Sequence, residues 1–145
     1  MTIDCADPDR LARFWAEALH YRLEEPPEGF ATWADYWRSK GVPEEEVGEG
    51  IGYDSVVDPG AVGPRIWFQQ VPEPKVVKNR VHLDLDVTGG RRAPVAERRA
   101  VIDAEVERLV KLGATVVRVQ GSDVGGSDYY AATMRDPEGN EFCVS

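Results

Sequence analysis

The chain has 145 residues, of which 26 are acidic and 17 basic, so its formal net charge is −9, and 42% of it is hydrophobic. That length suits one domain or two small halves sharing a core, and the apolar fraction excludes wholesale disorder. The acidic balance disfavours nucleic acid and anionic membrane surfaces as partners, and no apolar run approaches the roughly 20 residues that a bilayer span needs. Met1-Thr2-Ile3-Asp4-Cys5 carries no basic or apolar export signal, and Cys5 and Cys143 alone do not make a disulfide framework. The expectation is a reduced, cytoplasmic protein.

In chain order, Asp7-Pro8 starts a helix. Asp7 can cap free amides, and Pro8 at the first helical position loses no needed hydrogen bond. Leu11, Phe14, Trp15 and Ala18 then recur at helical spacing, which predicts a helix over about 8–20. Tyr21 to Glu25 predicts a short strand, stopped by Pro26-Pro27. Phe30, Trp33 and Trp37 predict a short amphipathic helix ending near Gly41, and Pro43 before Glu44-Glu45-Glu46 starts another. Residues 28–50 thus read as a helical insertion whose aromatic side chains need burial.

Strands are expected at Gly52 to Val57 and Arg65 to Val71, with Asp58-Pro59-Gly60 turning between them. Arg80 to Val87 alternates most clearly: Val81, Leu83, Leu85 and Val87 on one face, Arg80, His82, Asp84 and Asp86 on the other. A helix over about 94–112 follows, stopped by Gly113. Strands at 114–119, 129–135 and 141–145 complete the chain, the last two joined by the turn Asp136-Pro137-Glu138-Gly139.

The order is β-α-β-(insertion)-β-β, then β-α-β-β-β. This predicts an α+β fold of two modules, one over about 1–75 including the insertion and one over about 76–145. The expected arrangement is a U-shaped mixed sheet around a cleft, with the helices outside. Alternation then lines the cleft with Trp67, Gln69, His82, Asp84, Glu141 and Cys143, an aromatic wall with convergent polar groups. Each residue also has a plainer reading. His82 could be a hydrogen-bonded strand histidine, Cys143 a small filler, and Trp67 part of the core. Lys75, Lys78 and Arg80 form the one basic cluster, which counters local acids or attracts an anionic ligand.

Several segments together resemble the glyoxalase-like group of the vicinal oxygen chelate superfamily. They are Asp4-Cys5-Ala6-Asp7-Pro8 through Trp15, Trp67-Phe68-Gln69, Val71 to Lys75, Lys78-Asn79-Arg80-Val81-His82-Leu83-Asp84, Leu112-Gly113-Ala114 and Asp136-Pro137-Glu138-Gly139-Asn140-Glu141-Phe142. The resemblance implies paired βαβββ modules and a homodimer. It also implies, in metal-dependent members, four ligands on the first, fourth, fifth and eighth strands that hold a divalent ion and stabilise a substrate anion. Carried over, those positions fall on His82, Gln69 and Cys143, with no counterpart between Met1 and Asp4. The set is incomplete, and the expectation is that no divalent ion is held tightly.

Three functions stay open. One is a lyase or isomerase in which His82 or Glu141 moves a proton and Asp84 orients His82. Another is a non-catalytic protein that sequesters a small aromatic or cationic molecule between Trp67, Tyr129, Tyr130, Trp33 and Trp37. The third is an interaction module with no ligand. The insertion could be a lid or a dimer contact.

Overall fold

A computed structural model of the protein describes residues 1–47, 52–121 and 128–145. The chain divides into two compact units, Met1–Pro74 and Lys75–Ser145, each described by itself. In the first, β1 (Thr2–Cys5) leads into α1 (Pro8–Leu19). Asp7 caps α1 by accepting the Arg10 N–H at 3.1 Å, and Pro8 takes the first helical position. Removing the cap with Asp7→Ala should lower stability by about 1 kcal/mol in a chemical denaturation series. Leu11, Phe14 and Trp15 are buried where α1 packs on the sheet. Each contributes roughly 1.5–3 kcal/mol of apolar burial.

β2 (Arg22–Leu23) follows, then α2 (Trp33–Ser39), α3 (Glu44–Val47), β3 (Ser55–Val57) and β4 (Ile66–Gln70). The sheet order is β1-β4-β3-β2, with β1 and β4 parallel and the other pairs antiparallel. The last part of the expected insertion, residues 48–50, lies outside the described residues. The strand expected from Gly52 begins only at Ser55, because the Tyr53 N–H donates to the Asp9 carboxylate at 2.8 Å and not to a neighbouring strand.

The second unit contains β5 (Asp84–Leu85), α4 (Val95–Lys111), β6 (Thr115–Gly121), β7 (Tyr130–Arg135) and β8 (Glu141–Val144). Its order is β5-β8-β7-β6, with β5 and β8 parallel. Gly113, at φ 110°, ends α4 in the left-handed region that favours glycine. The turn after β7 closes as expected. The Gly139 N–H reaches the Asp136 carbonyl at 3.0 Å, and the buried Asp136 carboxylate takes the N–H groups of Glu138 and Asn140 at 2.9 Å each. Both halves therefore carry a mixed four-stranded sheet with a helix packed on it, the two-module α+β architecture expected from the element order.

The strand expected over 80–87 is much shorter. Its ladder with β8 starts at the Leu83 carbonyl, which accepts the Cys143 N–H, and ends where the Val87 N–H meets the Ser145 carbonyl, both at 2.9 Å. Val81, placed by alternation on the apolar face, is 77% exposed. The segment before Leu83 is held by side chains and not by a sheet.

Candidate functional site

Two groups of candidate residues are found, one in each unit. In the first unit, Thr32 caps α2 by accepting the Asp35 N–H at 3.1 Å. Trp33 follows, and its Nε1 donates to the Glu24 carbonyl at 2.9 Å. Four residues on, Trp37 stacks on Trp33, with ring centroids 6.0 Å apart and planes 25° apart. The burial expected of these aromatic side chains is met only in part within the first unit: Trp33 is half-buried, while Trp37 remains exposed. Trp67, on the less buried face of β4, donates its Nε1 to Asp54 Oδ2 at 3.0 Å, while Ile66 and Phe68 enter the core. Gln69 shares the Trp67 face, and its backbone carbonyl lies 3.6 Å from the buried Cys5 thiol.

Trp33, Trp37, Tyr53, Asp54 and Trp67, with the first turn of α1, line a cavity of about 1210 Å³. That is room for a molecule of several rings. The indole N–H groups of Trp33 and Trp67 are already bonded, so the rings offer their apolar faces and edges. The two arginines on the lining are engaged by carboxylates: Arg13 by Asp9 at 2.8 Å, and Arg65 by Glu24 at 2.6 Å. Burial pushes the Asp9 carboxyl up, but the Arg13 guanidinium and the Tyr53 N–H outweigh it and hold Asp9 below its ordinary value. Asp54 accepts from Ser55 Oγ at 2.7 Å and from Trp67, both neutral donors; the Arg65 guanidinium reaches it only through Ser55 Oγ, to which it donates at 2.8 Å.

Tyr53 and Asp54 escaped the sequence reading because they fall in a segment taken as strand. The signal was present: an aromatic residue beside an acid, directly after an aromatic-rich insertion.

In the second unit, Glu141 is buried, 7% exposed. Its Oε2 accepts the Asn79 N–H at 3.0 Å and the Lys75 ammonium at 3.2 Å. The Asn79 N–H above all, with Lys75, holds its carboxyl at about 2 against the upward push of burial. Lys75 thus counters a local acid, one of the two readings of the basic cluster. Glu141 fastens the segment 75–79 to β8. Three residues farther along, His82 presents Nε2 to Lys78 Nζ at 2.6 Å and Nδ1 to Cys143 Sγ at 3.9 Å. Both ring nitrogens are engaged in this way, and Asp84, expected to orient His82, is exposed and pairs in register with Cys143.

Tyr130 lies on the helix side of β7. Its hydroxyl donates to Asp103 of α4 at 2.6 Å, and the Arg99 guanidinium stands 4.7 Å from its ring. Tyr129 lies beneath Arg91 at 5.5 Å. Trp33, Trp37 and Trp67 come together in the first unit. In the second, His82 and Cys143 come together, and Tyr130 is directed away from them toward α4. Lys78 and Thr133, neighbours of His82 and Cys143, had no distinguishing signal beyond the basic cluster and strand alternation.

A divalent ion needs several converging donors. Among the described residues, no three His, Cys, Asp or Glu side chains gather as such a group. Around His82, one ring nitrogen faces an ammonium and the nearby Glu141 is committed to Lys75 and Asn79. Among the described residues, the donors as folded form no metal site.

Among the described residues no helix is long and apolar enough to cross a membrane. The chain is similar in structure to a glyoxalase/bleomycin resistance protein/dioxygenase family enzyme from Burkholderia phytofirmans, with TM-score 0.57 and 17% identity, over 99% of this chain and 93% of that one. It is also similar to the fosfomycin resistance protein FosX from Mesorhizobium loti, with TM-score 0.56 and 13% identity, over 99% and 86%. A third similar structure is FosX from Listeria monocytogenes, in complex with Mn(II) and dihydroxypropylphosphonic acid, with TM-score 0.53 and 10% identity, over 99% and 83%. These likenesses show the fold. No protein of curated function matches the chain. The model of the glyoxalase-like domain matches residues 1–145, and the chain belongs to that family, on the vicinal oxygen chelate fold.

Proposed function

We propose that this protein binds a small, flat organic cation in the aromatic cavity of its first unit. The observation that carries this reading is the meeting of Trp33, Trp37 and Trp67 beside the Asp54 carboxylate, next to Tyr53, whose ring already carries the Arg13 guanidinium at 5.4 Å. Ring faces attract a cation through their quadrupole, worth roughly 0.5–2 kcal/mol per contact. A carboxylate with only neutral hydrogen-bond donors adds charge selectivity, and the net charge of −9 raises the local concentration of cations.

Thioflavin T, a planar cation, is a suitable probe, with its uncharged benzothiazole counterpart as control. The expected result is saturable tryptophan quenching by the cation, about fivefold tighter than by the neutral compound and weaker at high salt. Asp54→Asn should erase the difference between the two. Absence of binding by both compounds, with no thermal shift, would end this reading.

A second reading is a lyase or isomerase in which His82 carries the proton. Its support is the position of His82, fixed between Lys78 and Cys143. In it, Glu141 anchors the His82 segment and Asp84 contacts substrate. Both readings include a homodimer, which light scattering would measure, and a reducing cytoplasm, in keeping with the two free cysteines.

A further inference from the structure

Independently of the cavity, the second unit carries a cluster with a chemistry of its own. Cys143 Sγ lies 3.9 Å from His82 Nδ1 and 3.9 Å from Thr133 Oγ1. On the far side of the imidazole, Lys78 Nζ lies 2.6 Å from Nε2. An ammonium donates and cannot accept, so Nε2 is the acceptor and the ring proton of the neutral imidazole sits on Nδ1, toward the sulfur. The Thr133 hydroxyl can accept from the S–H group and can donate once charge develops on the sulfur. A ring N–H backed by a positive charge and a hydroxyl free to reorient therefore flank one sulfur. The carboxylate of the register partner, Asp84, is exposed, where water screens its opposing charge. Cys143 itself is only partly buried, whereas Cys5 is 3% exposed and turned to the Gln69 carbonyl. Partly exposed thiols in electropositive surroundings are the reactive ones.

We propose that Cys143 is a nucleophilic thiol that adds to α,β-unsaturated carbonyl compounds, with His82 stabilising the charge on its sulfur and Lys78 positioning His82. In the step, the thiol proton leaves to water and the sulfur lone pair forms a bond to the β-carbon. The double-bond pair moves toward the carbonyl, and the α-carbon takes a proton back from water. The sum is simple addition, with no oxidant, reductant or leaving group. Preorganised donors act on charge as it develops, which is where they accelerate a reaction most.

The test uses the full chain and N-ethylmaleimide, followed by intact mass and peptide mapping. The expected result is one fast adduct, on Cys143, formed about tenfold faster than on the same thiol in guanidinium-denatured chain, despite partial burial. His82→Ala should bring the rate down to the denatured level with an unchanged circular dichroism spectrum. Lys78 is exposed, so Lys78→Met can be compared even if the histidine variant unfolds. It should slow the reaction, and Lys78→Arg should restore it. A native rate no higher than the denatured one would overturn the proposal. So would a Lys78→Met protein, or a folded His82→Ala protein, that reacts at the wild-type rate.

Discussion

Replacing Glu141 by alanine is expected to lower the unfolding free energy by about 3 kcal/mol at neutral pH, from the loss of charged hydrogen bonds in a buried setting. The change strands the Asn79 N–H and removes the carboxylate partner of Lys75, which keeps only the Val77 carbonyl, and of Arg135 at 3.7 Å. The pH dependence identifies the cause. The carboxyl falls from its ordinary 4.5 to about 2 in the folded chain, so the unfolded chain takes up the proton first as pH drops. Its contribution is complete above about 4.5 and is lost as pH falls from there toward 2. The penalty of Glu141→Ala should therefore shrink over that window, measured by denaturant unfolding at neutral pH and near pH 2. The exposed Glu107→Ala serves as control and should shift stability by less than about 0.5 kcal/mol. A penalty that stays constant across the window would show that shape, and not charge, is what Glu141 supplies.

The second large effect is on binding. Trp33→Ala should weaken thioflavin T by about a hundredfold, near 2.7 kcal/mol. Trp33 is the residue through which α2 is seated. Its Nε1 holds the Glu24 carbonyl, its ring meets Tyr36 edge-on at 5.7 Å, and Trp37 stacks on it. Removing it takes away one wall and frees the neighbouring one. Trp37 is 42% exposed and, besides the Trp33 stack, meets only the Tyr36 ring among the described aromatic residues, at 4.9 Å, so Trp37→Ala should cost about tenfold in affinity with a small change in stability. Titration by tryptophan fluorescence and an independent calorimetric titration would check both. Equal affinities in wild type and Trp33→Ala would remove the cavity from the account of binding.

Where the sequence was readable, local chemistry and tertiary packing agreed. The Asp7-Pro8 start, the 3–4 spacing of Leu11, Phe14 and Trp15, the Gly113 stop and the Asp136-Pro137-Glu138-Gly139 turn all specify their own conformations, and the structure adopts them. Where it misled, a side chain had taken the role of a strand. Alternation through Arg80, Val81 and His82 looks like sheet, but the backbone there is fastened by Glu141, from the far end of the chain, and sheet pairing begins only at Leu83. The same cause hid the part played by Glu141 itself. An acid two residues from Cys143 looks like a base facing a cleft until the partners of its oxygens are known. The donors of the His82 cluster were equally illegible, since Thr133 comes from a different strand, brought alongside by the β7–β8 register.

Each unit joins its opening strand to its closing one: β1 runs parallel to β4, and β5 to β8. The Asn79–Glu141 bond spans 62 residues in the same sense. Neither half can therefore be finished until nearly all of it has left the ribosome. Closure of a long loop has to precede the contacts that reward it. For the second unit the deciding residues, in β8, come last of its elements. Its opening segment must wait, unfastened, for Glu141 and the rest of β8, so that half folds only once both of its ends are available.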